Sequence, residues 1–158
     1  MTSELIELQT LLVADLATRG ETFCLTGWTP KRAFVPRYEL KDVKQLQVVV
    51  TPASRAGSRQ TRALVQRRLG VYVGVLKLLA PGQSDQVAPP ADLSELDALV
   101  RFVEQLDDLF YPKHGGFYAV GDGKFTCVES SAVPLYDLDL MHARRQFTSV
   151  LSVDFVVH

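Results

Sequence analysis

The fourteen residues from Arg145 to His158, RQFTSVLSVDFVVH, alternate with a period of two. Phe147, Leu151, Val153, Phe155 and Val157 fall in one row, with Ser149 filling its gap, while Gln146, Thr148, Val150, Ser152, Asp154 and Val156 make a mostly polar second row. Successive side chains of a strand point to opposite faces, so the run predicts a strand with one face buried and the other partly wet. It reaches the end of the sequence with no tail or linker behind it. A strand in that position frays unless it is paired, and an unpaired apolar edge aggregates. The expectation is therefore a sheet that holds this strand in its interior.

The 158 residues fit one domain, 1–158, large enough to bury a core without disulfide or metal staples. Hydrophobic residues at 47% and charged residues at 22% are ordinary globular proportions and exclude global disorder. The net charge of −1 hides an asymmetry. Between Val43 and Ser84 lie Lys44, Arg55, Arg59, Arg62, Arg67, Arg68 and Lys77 with no acid, so this stretch carries +7 and the remainder −8. Asp85, Asp92, Glu95, Asp97, Glu104, Asp107 and Asp108 follow, opposed only by Arg101.

Cys24 and Cys127 both sit in apolar, strand-like sequence, where a free thiol behaves as a small hydrophobe. With no cysteine framework and no secretory pattern at the start, the expected compartment is reducing and the product soluble. No stretch approaches the roughly 18 apolar residues that cross a bilayer, so no membrane is expected as a partner.

Leu5, Leu8, Leu12 and Leu16 mark a helix over 3–19, with Thr2 or Ser3 as its cap and Gly20 as the left-handed residue at its end. Pro30 and Pro36 break 23–40 into short extended pieces. Leu46 to Thr51 reads as a strand stopped by Pro52, Ala53 to Ser58 as a loop, and the chain from about Thr61 to Pro81 as a returning strand. Together they predict a long hairpin with Arg55 and Arg59 at its tip and Arg62, Arg67 and Arg68 down the returning arm. A Pro/Gly/Gln linker over 81–91 precedes a helix announced by Asp92 and Glu95 as a capping-box pair, with Leu96, Leu99, Val103, Leu106 and Phe110 at helical spacing. Gly121-Asp122-Gly123 then turns a second hairpin between 117–120 and 124–130, and a loop or helical turn over 134–144 leads to the last strand. The fold class is α/β (α+β): a mixed, mostly antiparallel sheet with a long β-hairpin, packed against two main helices.

Catalytic patterns are missing from this sequence. His114, His142 and His158 do not stand at zinc-ligand spacing with either cysteine. Gly116 to Lys124 imitates a phosphate loop, but Asp122 and Gly123 intervene before the lysine, and Phe125 occupies the place of the metal-binding hydroxyl. Asp137 and Asp139 are expected as solvated loop carboxylates, and Ser130-Ser131 lacks the glycine elbow of a serine nucleophile. The sequence points to no enzyme, no cofactor and no metal.

The arginine hairpin is the one charge pattern that stands out. Guanidinium forks bind phosphate and carboxylate alike, so it suits a polyanion or an acidic protein face. The simpler account is a solvated hairpin whose arginines keep an exposed edge from pairing wrongly. Aromatic residues are not interleaved among the arginines, which speaks against recognition of single strands by base stacking.

Several stretches together resemble the small neck proteins of long-tailed bacteriophages, and within them the tail terminator, or tail completion, family. They are Arg37 to Pro52 (RYELKDVKQLQVVVTP), the following loop with Arg59, the strand VYVGVLK from Val71, LDALV from Leu96 and RQFTSVLSV from Arg145. The resemblance covers most of the chain through diffuse patterns and carries no catalytic signature. It implies an α/β subunit that forms a ring of six in the virion neck, assembled in the host cytoplasm. The ring would cap the head-proximal end of the tail tube, stop tube polymerisation and offer a docking face for the head connector or head-closure protein, with genome DNA passing through its lumen without sequence-specific binding. A ring needs two different patches that complement each other, and a basic segment beside an acidic helix is one way to provide them. Interface candidates are Arg55, Arg59, Arg62, Arg67, Arg68 and Trp28, the last within the extended segment 28–38. The alternatives are another neck component, such as a head-closure or adaptor protein, and a basic-hairpin nucleic-acid-binding module.

Overall fold

The structure, a computed structural model, describes residues 3–34, 45–79 and 93–158. Lys44, Asp85, Asp92, the 81–91 linker and the part of 28–38 beyond Phe34 lie outside the described residues. The strand expected at the end of the sequence is β6, Gln146–Val157, and it is interior to the sheet. It pairs antiparallel with β3, Val65–Leu78, on one side and with β5, Phe125–Ser131, on the other. The full order is β1-β2-β3-β6-β5-β4, where β1 is Thr29–Arg32, β2 Gln47–Arg59 and β4 Ala119–Val120. Only β1 and β2 run parallel, so the sheet is mixed and mostly antiparallel, and the fold is α+β.

Register makes the buried row continuous. Leu69, Val71, Val73 and Val75 of β3 stand opposite Phe155, Val153, Leu151 and Ser149 of β6, and all eight are buried. Helix α1, Glu4–Thr18, lies over β1 and β2 with Leu8, Leu12 and Leu16 buried. Helix α2, Leu93–Phe110, lies over β5 and β6 with Leu99, Phe102, Val103, Leu106 and Phe110 buried. These side chains and the inner row of the sheet form one core. A short helix α3, Leu138–Arg144, packs beside β6 and is capped by Asp137, whose carboxylate accepts from the Leu140 amide at 3.0 Å. Asp137 is thus a helix cap rather than a solvated loop residue.

Several local expectations are corrected. Ser3 does cap α1, accepting from the Ile6 amide at 3.4 Å, but Gly20 is not left-handed: the chain passes from Arg19 into a 3-10 turn, Gly20–Thr22, without a positive φ. Pro52 does not stop its strand. A bulge between Pro52 and Ser54 absorbs the proline, β1 has already ended its pairing at Val50, and β2 continues to Arg59. The capping-box pair cannot be placed because Asp92 lies outside the described residues, while Glu95 pairs with Lys77 of β3 and ties α2 to the sheet. Cys24 is exposed, with its amide held by Gln105 Oε1 at 2.8 Å, whereas Cys127 is buried as expected. Trp28 lies in the hydrophobic core of this chain. Its indole packs edge-on to Phe23 and Phe102 at 5.6 and 5.3 Å, and its Nε1 donates to the Leu25 carbonyl at 2.8 Å.

Two substitutions in β6 test this packing in opposite directions. Phe155→Ala empties a fully buried site and is expected to cost about 3–5 kcal/mol in a denaturant melt. Ser149 is buried with a hydroxyl that has no partner among the described residues, so Ser149→Ala relieves a desolvated polar group and is expected to leave stability unchanged or raise it by up to about 1 kcal/mol.

Candidate interface: the arginine hairpin

The hairpin of β2 and β3 outruns the rest of the sheet. The ladder between β3 and β6 ends at Arg67 and Val157, yet β2 and β3 stay paired to Arg59 and Val65. Every residue from Ala53 to Arg68 is exposed. The tip is nevertheless ordered by its own hydrogen bonds. The Gln60 and Thr61 amides donate to the Leu64 carbonyl at 2.9 and 3.2 Å, and Thr61 Oγ1 accepts from the Ala63 and Leu64 amides. This threonine turn sets the tip at 60–64, so Arg62 is at the tip, Arg59 ends β2, and Arg55 lies down the outgoing arm rather than at the tip.

The five hairpin arginines divide into two groups. Arg68 is clamped on the sheet by Asp154 at 2.7 Å and Glu129 at 2.6 Å, and hydrogen bonds to these carboxylates, Asp154 first, raise its pKa. Arg67 pairs with Glu4 at 2.9 Å, and Arg55 stands 4.0 Å from the other Glu4 oxygen. Glu4 opens α1, so these contacts brace the hairpin base against the helix start. Arg59 and Arg62 have no carboxylate partner among the described residues, and Arg59 only donates to the Arg62 carbonyl at 3.0 Å. Gly70, below the clamp, sits against the Ser54 hydroxyl and Asp154 Oδ1, which would have to shift to admit a Cβ there.

The residues weighed for chemistry have structural surroundings. Ser130 donates to Asp107 at 2.6 Å, fastening β5 to α2. Lys124, in the glycine turn, pairs with Glu7 of α1 at 2.8 Å. Gly121, Asp122 and Gly123 all have positive φ, the geometry of a tight turn. His114 and His158 are exposed, and the His142 side chain lies outside the described ones. No group of three or more His, Cys, Asp or Glu converges among the described residues, and no described helix is long and apolar enough to cross a membrane. Sequence reasoning missed the Tyr118–Asp15–Arg19 cluster. There the phenol donates to Asp15, which Arg19 also holds at 3.0 Å, and only the three-dimensional meeting of β4 and α1 brings them together.

No protein-family model matches this chain, and no curated protein matches its sequence.

Two outcomes follow from the charges. Because Arg59 and Arg62 lack partners, Arg59→Glu with Arg62→Glu should change stability by no more than about 0.5 kcal/mol. Arg67→Glu sets a second carboxylate against Glu4 and should lower the melting temperature further than that pair. Alkaline pH should also destabilise the fold. Burial pushes the Cys127 thiol up to about 11 and, with the bond to Asp15, raises the Tyr118 phenol. Both are held neutral when folded, so the unfolded chain loses these protons first. The Cys127 contribution is intact below about 9, the ordinary thiol value, and is lost as pH rises through about 11, whereas the Tyr118 contribution starts to fall only above about 10, the ordinary phenol value. Thermal melts from pH 8 to 11 check this, and Cys127→Ala with Tyr118→Phe should flatten the decline.

Proposed function

We propose that this chain is a structural subunit of the neck of a long-tailed bacteriophage, a tail terminator that forms a ring of six on the head-proximal end of the tail tube. In this role it stops tube polymerisation and presents a docking face to the head connector or head-closure protein, while genome DNA passes through the lumen. The observation that carries the reading is the hairpin. An isolated two-stranded hairpin is marginally stable in water, and this one runs past β6 over 58–66, with every residue from Ala53 to Arg68 exposed. It makes sense as an element that gains its remaining contacts from another chain. The helix-backed mixed sheet and the sequence likeness to the neck proteins support the same conclusion.

The division among the arginines favours a protein partner over nucleic acid. Arg67 and Arg68 are hydrogen-bonded to Glu4, Glu129 and Asp154 and Arg55 stands 4.0 Å from Glu4, so Arg59 and Arg62 are the two hairpin guanidinium groups with no carboxylate nearby among the described residues. A module relying on phosphate contacts would keep its cations available and lose affinity steeply with salt.

The test is the native mass of the purified chain, alone and with tube protein, combined with negative-stain images. The expected result is a closed ring at six times the subunit mass, bound at one end of tubes of uniform length. A chain that leaves tube length unregulated and forms no ring with or without tubes contradicts the proposal. Salt-sensitive binding of duplex DNA by such a monomer would move the assignment to the nucleic-acid module.

A further inference from the structure

Two cations and two aliphatic side chains stand together at the far end of the hairpin. Arg59 and Arg62 are without carboxylate partners among the described residues, and beside them Leu64 is 58% exposed and Val65 45%. Neither aliphatic is needed for the turn, which Thr61 and backbone hydrogen bonds already hold. Apolar side chains kept outward next to unpaired charge fit a surface that inverts the pattern, with carboxylates beside an apolar recess.

The C-terminal half of α2 has that inverted pattern. Asp97, Arg101, Glu104 and Asp108 recur at helical spacing on its exposed side. The other carboxylates of this helix are engaged, Glu95 by Lys77 and Asp107 by Ser130, whereas Glu104 and Asp108 have no ion-pair or hydrogen-bond partner among the described residues. The same stripe continues to Tyr111, which is exposed at the rim of a recess of about 280 Å³ formed with Phe110, Pro112, Phe117 and Cys127. Phe117 is 76% exposed there and Lys113 also lines the recess, so its mouth presents an exposed ring beside one cation. Charge and apolar surface thus follow each other in the same order on the helix end and on the hairpin tip.

We propose that the hairpin tip of one copy docks on the C-terminal half of α2 of a second copy. Arg59 and Arg62 face Glu104 and Asp108, while Leu64 and Val65 cover the recess beside Tyr111 and Phe117. The two patches are different surfaces of one subunit, so the contact is heterologous and repeats head to tail, closing when the rotation permits. Closure into a ring rests on the function proposed above, whereas the contact itself does not.

Charge exchange tests the pairing. One variant carries Arg59→Glu and Arg62→Glu, and the other Glu104→Lys and Asp108→Lys. Each alone should keep its melting transition but lose the assembled species in sedimentation, because like charges then meet across the contact. An equimolar mixture should recover assembly, since each variant's hairpin then meets the opposite charge on the other's helix. A second measurement reads the contact even if free assembly is weak: a Leu64→Cys, Phe117→Cys chain on a Cys24→Ser background, treated with a short bismaleimide, should yield covalent oligomers. The inference is overturned if each charge variant assembles as the wild type does, if the folded variants fail to recover on mixing, or if the cross-linker gives monomer only. Rings that persist through both charge reversals would leave the neck assignment standing and remove this interface. Cross-linked open chains without rings would do the reverse.

Discussion

The pairing of β3 with β6 is the interaction on which the rest of the structure depends. Among the described strands β6 alone stands between the group β1-β2-β3 and the group β5-β4, so without it this sheet falls into two pieces. The ladder runs from Leu78 opposite Gln146 to Arg67 opposite Val157, joining residues far apart in sequence. Closing such distant segments costs loop entropy before any contact is gained, so this ladder should form late and should gate the packing of both helices. Once formed, it aligns Leu69 to Val75 with Ser149 to Phe155 and creates the single surface on which α1 and α2 meet.

The same ladder determines where support for the hairpin ends. Up to Arg67 and Arg68, the β2–β3 pair has β6 beside it, Glu4 of α1 at one side and the Asp154–Glu129 clamp on the sheet. Beyond that point only the pairing of β2 with β3 and the Thr61 turn maintain the ribbon. The bulge at Pro52 falls just before the exposed arm, where bulges characteristically bend a strand and increase its twist. Charge follows this boundary. Arginines on the supported side face carboxylates of the same chain, and those past it have no carboxylate partner among the described residues.

Much of the architecture was legible because its signals are periodic. The alternation over 146–157 fixed both the strand and its buried face, and the leucines of α1 fixed the first helix. What failed were decisions set by neighbours rather than by local sequence. Pro52 reads as a strand end, but the parallel partner stops at Val50 and a bulge takes the missing donor. Phe102 was absent from the expected core of α2 because its contacts are the rings of Phe23 and Trp28, from a segment with no periodicity. For the same reason Trp28 reads as a contact residue in sequence, although its ring packs in the core against Phe23 and Phe102. The arginine hairpin was legible as charge, but its division could not be read, since Glu4, Glu129 and Asp154 come from three different elements.

In the proposed function, the hairpin beyond Arg67 gains its remaining contacts from another chain. Amide hydrogen exchange on the free subunit and on the assembled protein measures this directly. In the free protein, amides from Ser58 to Gln66 should exchange far faster than those of β6, because few contacts oppose local opening there. On assembly they should slow by orders of magnitude while β6 changes little. Equal protection of the hairpin in both states would contradict the account.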